Sequence, residues 1–179
     1  APGMAAMQQA ITRVLDAHDP YPGVALDRHW NIVIANASAR RLVSIVPPDL
    51  RALPHNLFRL GLHPRGIAAC TSNFDEWGRY MLRELQRLAD AAIDPAVSAL
   101  LDEVRRYPNV RALLATPPQA APSNPLLVPC VLDVAGQRLS LFTTLATFGS
   151  PRDVTLAELT VELFYPADAA TEAALRASA

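Results

Sequence analysis

Two short apolar runs, Val24-Ala25-Leu26 and Ile32-Val33-Ile34, flank the polar corner Asp27-Arg28-His29. Aliphatic and β-branched residues bounded by Asp, Arg and Asn read as the two strands of a tight hairpin. Asn36 ends the second strand, and Ala37 to Leu42 has helical composition. This strand, turn, strand, helix sequence is the stretch around which the rest of the chain is organised.

Before it, Met4, Met7, Ile11, Val14 and Leu15 recur at helical spacing, so residues 4 to 17 read as an amphipathic helix. Asp19-Pro20-Tyr21-Pro22 ends it, because proline cannot continue the hydrogen-bond ladder and turns its predecessor away from helix. We expect residues 1–19 to be a connecting helix and residues 20–179 to be the domain proper.

After the hairpin the helix runs to about Val46, where Pro47-Pro48 breaks it. Asp49 to Leu53 and Asn56 to Leu62 are short helical pieces, with Asn56 placed as an N-cap. Asn73 to about Ala92 is the strongest helix: Asn73 and Glu76 have capping-box spacing, and Phe74, Trp77, Met81, Leu85 and Leu88 share one face. Arg79, Arg83 and Arg87 line another face, which reads as solvated, with Asp75 four residues before Arg79. Asp94-Pro95 starts a further helix with the apolar stripe Val97, Leu100, Leu101, Val104. Tyr107-Pro108 ends that helix, and Asn109 caps a last one through Ala115.

Thr116 to Pro125 is proline-rich and reads as a loop. Three longer strands follow: Leu126 to Val134 and Gln137 to Phe148, joined at Ala135-Gly136, then Thr155 to Tyr165 after a turn at Gly149 to Asp153. In the last strand Glu158, Thr160 and Glu162 point one way and Leu159, Val161, Leu163 and Tyr165 the other, which predicts one wet and one buried sheet face. Asp168 caps a final helix ending near Ala177. Five antiparallel strands with helices inserted between the second and third make an α+β layout. The layout is that of a PAS-like sheet, expected in the order 2-1-5-4-3, with an enlarged helical insert.

With 179 residues, 51% of them apolar, the chain has enough for a real core. A net charge of −1 gives it no electrostatic claim on nucleic acid or an anionic membrane. No apolar run is long enough to span a bilayer, and the N-terminal residues do not form a signal peptide. Cys70 and Cys130 read as two reduced structural thiols, as in a cytoplasmic protein.

Catalytic motifs are missing. His18, His29, His55 and His63 form no HExxH, there is no CxxC, and the scattered glycines make no phosphate loop. We therefore expect no catalytic residue, no metal and no cofactor. The chemistry left is apolar. A pocket between sheet and helices would be walled by Phe58, Leu62, Met81, Leu101, Val104, Phe142 and Val161, with Leu26, Val33, Leu159 and Leu163 as further candidates. Asn36, Arg59, Trp77, Tyr80 and Thr144 are the candidate polar groups fixing a ligand, Arg59 as a partner for a carboxylate.

The words LDRHWNIVIANASARRL, the segment NLFRLGLHP (Asn56, Leu57, Arg59 and Pro64 in that order) and the Trp77 helix resemble the MmyB-like ligand-binding domain over about Pro20 to Arg176. The segment FGSPRDVTLAELTVELFYPADAATEAALR is similar to one branch of that family. The resemblance implies a PAS-like sensor from a bacterial, cytoplasmic transcription regulator of the helix-turn-helix XRE type, holding a small apolar, fatty-acid-like ligand. DNA would be a partner only through a helix-turn-helix, which residues 1 to 19 cannot form. The chain also departs from many members in carrying RALLATP at Arg111 to Pro117 where they have a tryptophan-rich stretch. Two other functions fit the same fold. One is an enzyme with a polar pair such as His55 with Asp27 or Glu76 converging in the cavity. The other is a homodimerisation module with a filled core and an apolar patch on the first helix.

Overall fold

The computed structural model describes residues 2–52, 54–91, 94–120, 127–147 and 159–178. The hairpin forms where the apolar runs place it: β1 is Gly23–Leu26 and β2 is Ile32–Ala35. Asp27 builds the corner between them. Its carboxylate accepts from the backbone N–H of His29 and of Asn31, both at 2.9 Å, and from the Asn31 side chain at 3.0 Å. Trp30 takes a left-handed backbone there (φ 67°), and the β1–β2 register shifts between Ala25 and Leu26.

Three further strands, β3 (Cys130–Val134), β4 (Gln137–Thr147) and β5 (Thr160–Pro166), complete one sheet. Its order is β2-β1-β5-β4-β3 and every pairing is antiparallel. This is the α+β arrangement and the PAS order expected from the sequence. The β3–β4 turn falls at Ala135-Gly136, both at positive φ. Residues 127–129 precede β3 without strand structure. The expected ends at Leu126, at Phe148 and at residues 155–158, the turn at Gly149 to Asp153, and the Pro-rich loop from 121 onward lie outside the described residues.

Both faces of the central strand β5 are covered, contrary to the wet face expected there, while residues 144–147 of β4 are exposed. Helix α1 (Pro2–His18) lies over one face of the sheet. Its fully buried Ile11 and Leu15 pack with Ala25 and Val161, flanked by Met7, Ile34, Leu159 and Leu163. On the other side are α2 (Ala37–Val43), a 3-10 turn at Pro48–Leu50, α3 (Leu57–Leu62), a second 3-10 turn at Ile67–Cys70 and α4 (Phe74–Ala91). Helices α5 (Pro95–Arg105) and α6 (Pro108–Ala115) back α4, and α7 (Ala169–Ala177) returns to β4 and β5. The predicted stripe Val97, Leu100, Leu101, Val104 is buried against Leu82 and Leu85 of α4 and Phe58 and Leu62 of α3, a separate core made by helices alone.

The caps follow their chemistry, with two exceptions. Asn56, Asp94 and Asp168 accept backbone N–H groups at the starts of α3, α5 and α7. Asn73 instead clamps α4 to the edge strand: its amide donates to Pro129 O at 2.8 Å and its oxygen accepts from Val131 N at 3.0 Å. Asn109 lies inside α6 and donates to Leu62 O at 3.0 Å, joining α6 to α3. In both cases the side chain reaches a neighbouring element instead of its own helix end.

Candidate functional site

Between the sheet and the insert is a cavity of about 100 Å³, counted as space open to the centre of a water molecule. Its walls are almost wholly apolar. The hairpin and α2 contribute Val24, Ile32, Ala39 and Leu42, followed by Val46; α3 contributes Leu57, Leu60 and Gly61; α4 contributes Trp77, Tyr80 and Met81. The sheet floor carries Cys130, Leu132, Leu141, Thr143, Glu162 and Phe164. Gly61 matters because a Cβ there would meet the Trp77 ring at 3.1 Å. A larger residue would force the ring to shift.

Glu162 is the charged side chain in this wall. It is only 9% exposed, and its Oε2 has no hydrogen-bond partner among the described residues. Burial pushes its carboxyl from 4.5 up to about 7, against the opposing effect of a hydrogen bond with the Thr143 side chain. Burial also raises the Tyr80 hydroxyl, and the negative charges of Glu84 and Glu162 add to that rise. Cys130 is pushed by burial up to about 12, so it remains a thiol. Among the described residues no Lys, Arg or His lines the cavity. The site can therefore hold an apolar body by burial and one polar group by a carboxyl flanked by hydroxyls.

Of the residues expected at the site, Trp77, Tyr80 and Met81 are in the wall, as their shared helix face implies. Phe142 also borders the cavity, although its ring stacks on Tyr165 at 5.5 Å, on the α1 side of the sheet. Phe58, Leu62, Leu101 and Val104 are buried in the helical core beyond it. Val161 is buried beneath α1. Thr144 pairs with Leu163 on the α1 side and is exposed. Arg59 is tied to Glu103 through two hydrogen bonds of 2.8 Å near the surface. Burial raises the Tyr107 hydroxyl, which donates to the same Glu103 at 2.9 Å.

Asn36 is buried and fully engaged with backbone. Its oxygen accepts from Gly23 N and Ala39 N, and its amide donates to Leu15 O and Tyr21 O. Of the further candidates, Leu26 belongs to the hairpin core, Val33 is half exposed, and Leu159 and Leu163 face α1. The suggested catalytic pairs do not converge either. Asp27 is held in its turn, His55 Nε2 lies 2.8 Å from Arg51 O, and neither they nor Glu76 line the cavity. Among the described residues no cluster of His, Cys, Asp and Glu could hold a metal ion.

Besides apolar wall residues such as Leu60, Leu132 and Phe164, sequence reasoning missed Glu162 and Thr143. The available signal was the Met7, Ile11, Leu15 stripe, which needs an apolar partner. Once it takes the Val161 face of β5, Glu162 must turn toward the insert.

An apolar cavity between a five-stranded antiparallel sheet and a helical insert has the make-up of a small-molecule pocket. Residues 7–177 match the MmyB-like transcription regulator ligand binding domain, and the chain belongs to that family. It is thus a regulatory ligand-binding domain of the transcription-regulator kind. Among solved structures it is similar to the PAS domain from Bordetella pertussis BvgS, with 14% identity and a TM-score of 0.39 over 96% of this chain and 94% of the other. No curated protein matches it. Among the described residues no helix is long and apolar enough to cross a membrane.

Proposed function

We propose that the chain is the effector-sensing part of a cytoplasmic bacterial transcription regulator, binding a small, mostly apolar molecule, fatty-acid-like in its apolar chain, in the cavity between sheet and insert. The observation that carries this reading is the origin of the walls. Sheet, hairpin, α2, α3 and α4 all contribute to one cavity, so its contents bear on the separation of those elements. A volume of about 100 Å³ is of the order that accepts a benzene-sized body, so a longer tail must part the walls. A ligand that fits only the parted arrangement shifts the population toward it, by as much as its affinities for the two arrangements differ. Helix α1, seated on the opposite face of the same strands, passes the shift to a helix-turn-helix domain.

Native mass spectrometry of the purified protein tests the reading. A co-purifying mass of a few hundred daltons, lost on mild activation, is the expected result. Absence of any bound mass, with no thermal shift from a series of aliphatic alcohols, would overturn it. A dimer without bound mass would favour self-association as the function.

A further inference from the structure

Resting on the reading of the cavity as the effector site, we infer that the effector carries a hydrogen-bond-donating group, most favourably an amine, at the end that meets Glu162, and not a free carboxylate. The cavity walls are apolar apart from Glu162 on the central strand β5, the Thr143 hydroxyl on β4, the Tyr80 side chain on α4 and the Cys130 thiol. Glu162 sits with Val24 of β1 beside it and Phe164 following it on the same face, all three in the wall. Its Oε2 is buried and has no hydrogen-bond partner among the described residues. In its ionised form that oxygen is an acceptor costly to leave unmatched, and a donor on the ligand matches it and favours the ionised form.

The surrounding charges point the same way. No cationic side chain among the described residues lines the cavity, so nothing there would neutralise an incoming carboxylate. Arg59, the arginine expected at the site from the sequence, is engaged with Glu103. Two carboxylates in one apolar cavity repel, and one of them has to take up a proton. An ammonium beside Glu162 has the opposite effect: each charge supplies the partner the other lacks, in surroundings where such a bond is strong. The raised carboxyl of Glu162, pushed up by burial, agrees with this geometry.

The test uses three probes with one apolar body, n-octylamine, 1-octanol and octanoate, titrated into the whole chain at neutral pH by calorimetry and by thermal shift. The expected order is octylamine tightest and octanoate weakest, with the two charged probes separated by at least about tenfold, the scale of one charge-assisted hydrogen bond. In E162Q, and in E162L as a second variant, the amine should lose its advantage over the acid while 1-octanol still binds. Binding of octanoate as tight as octylamine to the unaltered protein would overturn the inference and leave the cavity reading standing. A preference for the amine that persists in both variants would also overturn it, placing the amine elsewhere. Failure of all three probes, 1-octanol included, would remove the cavity reading and this inference together.

Discussion

Val161 and Glu162 are neighbours on β5 and end in different layers of the molecule. Val161 is fully buried with Ile11 and Leu15 beneath α1, and Glu162 stands in the cavity wall on the other side. Strand alternation makes this unavoidable once both faces are covered. The central strand therefore has an apolar anchor and a carboxyl one residue apart, and the carboxyl contributes a pH dependence of its own.

Burial raises the Glu162 carboxyl from 4.5 to about 7, so across that interval the folded protein keeps a proton that the unfolded chain has released. The native state is the stronger proton binder there, and this group makes stability fall as pH rises between the two values. Above the folded value both states are ionised and the penalty is constant, of order 3 kcal/mol. Glu162→Gln removes it. Urea denaturation of the two proteins should show the variant gaining relative stability from about pH 5 to about pH 8. Carboxylates lowered by partners, such as Asp75 beside Arg79, contribute equally to both proteins and cancel in the difference.

Arg59→Ala should cost little. The Arg59–Glu103 pair has side chains 46% and 33% exposed, which places its worth at about 0.5 kcal/mol, and the Tyr107 hydroxyl remains as a partner for Glu103. Affinity for 1-octanol and the ratio of octylamine to octanoate binding should be unchanged. A selective loss of octanoate binding would show Arg59 reaching the ligand.

Asn36→Ala should be among the more damaging polar substitutions. Four hydrogen bonds of 2.8–3.0 Å disappear, leaving Gly23 N and Ala39 N without acceptors and removing the cap of α2. The expected loss is about 3 kcal/mol by chemical denaturation, the sum of a lost cap and buried groups left unpaired. Asn36→Asp keeps the acceptor and should recover part of it.

Gly66→Ala tests the link between α3 and the wall. A Cβ at this position runs into the carbonyl oxygen of Leu60, which is backbone and cannot rotate aside. Destabilisation of about 2 kcal/mol is expected. Because the turn that follows supplies Ile67 to the cavity, weaker probe binding should accompany it.

The elements were legible wherever a local signal decided them. The hairpin corner at Asp27, the break at Tyr107-Pro108 and the Trp77 helix need no knowledge of their neighbours, whereas α2 ends at Val43, short of the expected break at Pro47-Pro48. The strand order followed from the resemblance to a PAS sheet. The wall was only partly legible, because periodicity says that a side chain is buried and not what it is buried against. Trp77 and Leu101 have the same apolar signature, yet one faces the cavity and the other a helix. Asn73 has capping-box spacing, but strand β3 brings a backbone N–H and C=O within its reach, and those long-range partners hold its side chain. Glu162 is polar in an alternating strand, which looks like solvent unless α1 is known to occupy the other face.

The clamp at Asn73 has a consequence for assembly. β3 is a sheet margin, and a margin with unused backbone groups is a template for strand addition by another chain. Here the outward N–H of Val131 is taken by Asn73 and its C=O by Ser72 N at 2.8 Å, with a bridge from Thr71 to Leu132 alongside. A visiting strand finds those rungs already filled, so growth of the sheet from one molecule into the next is blocked at this border.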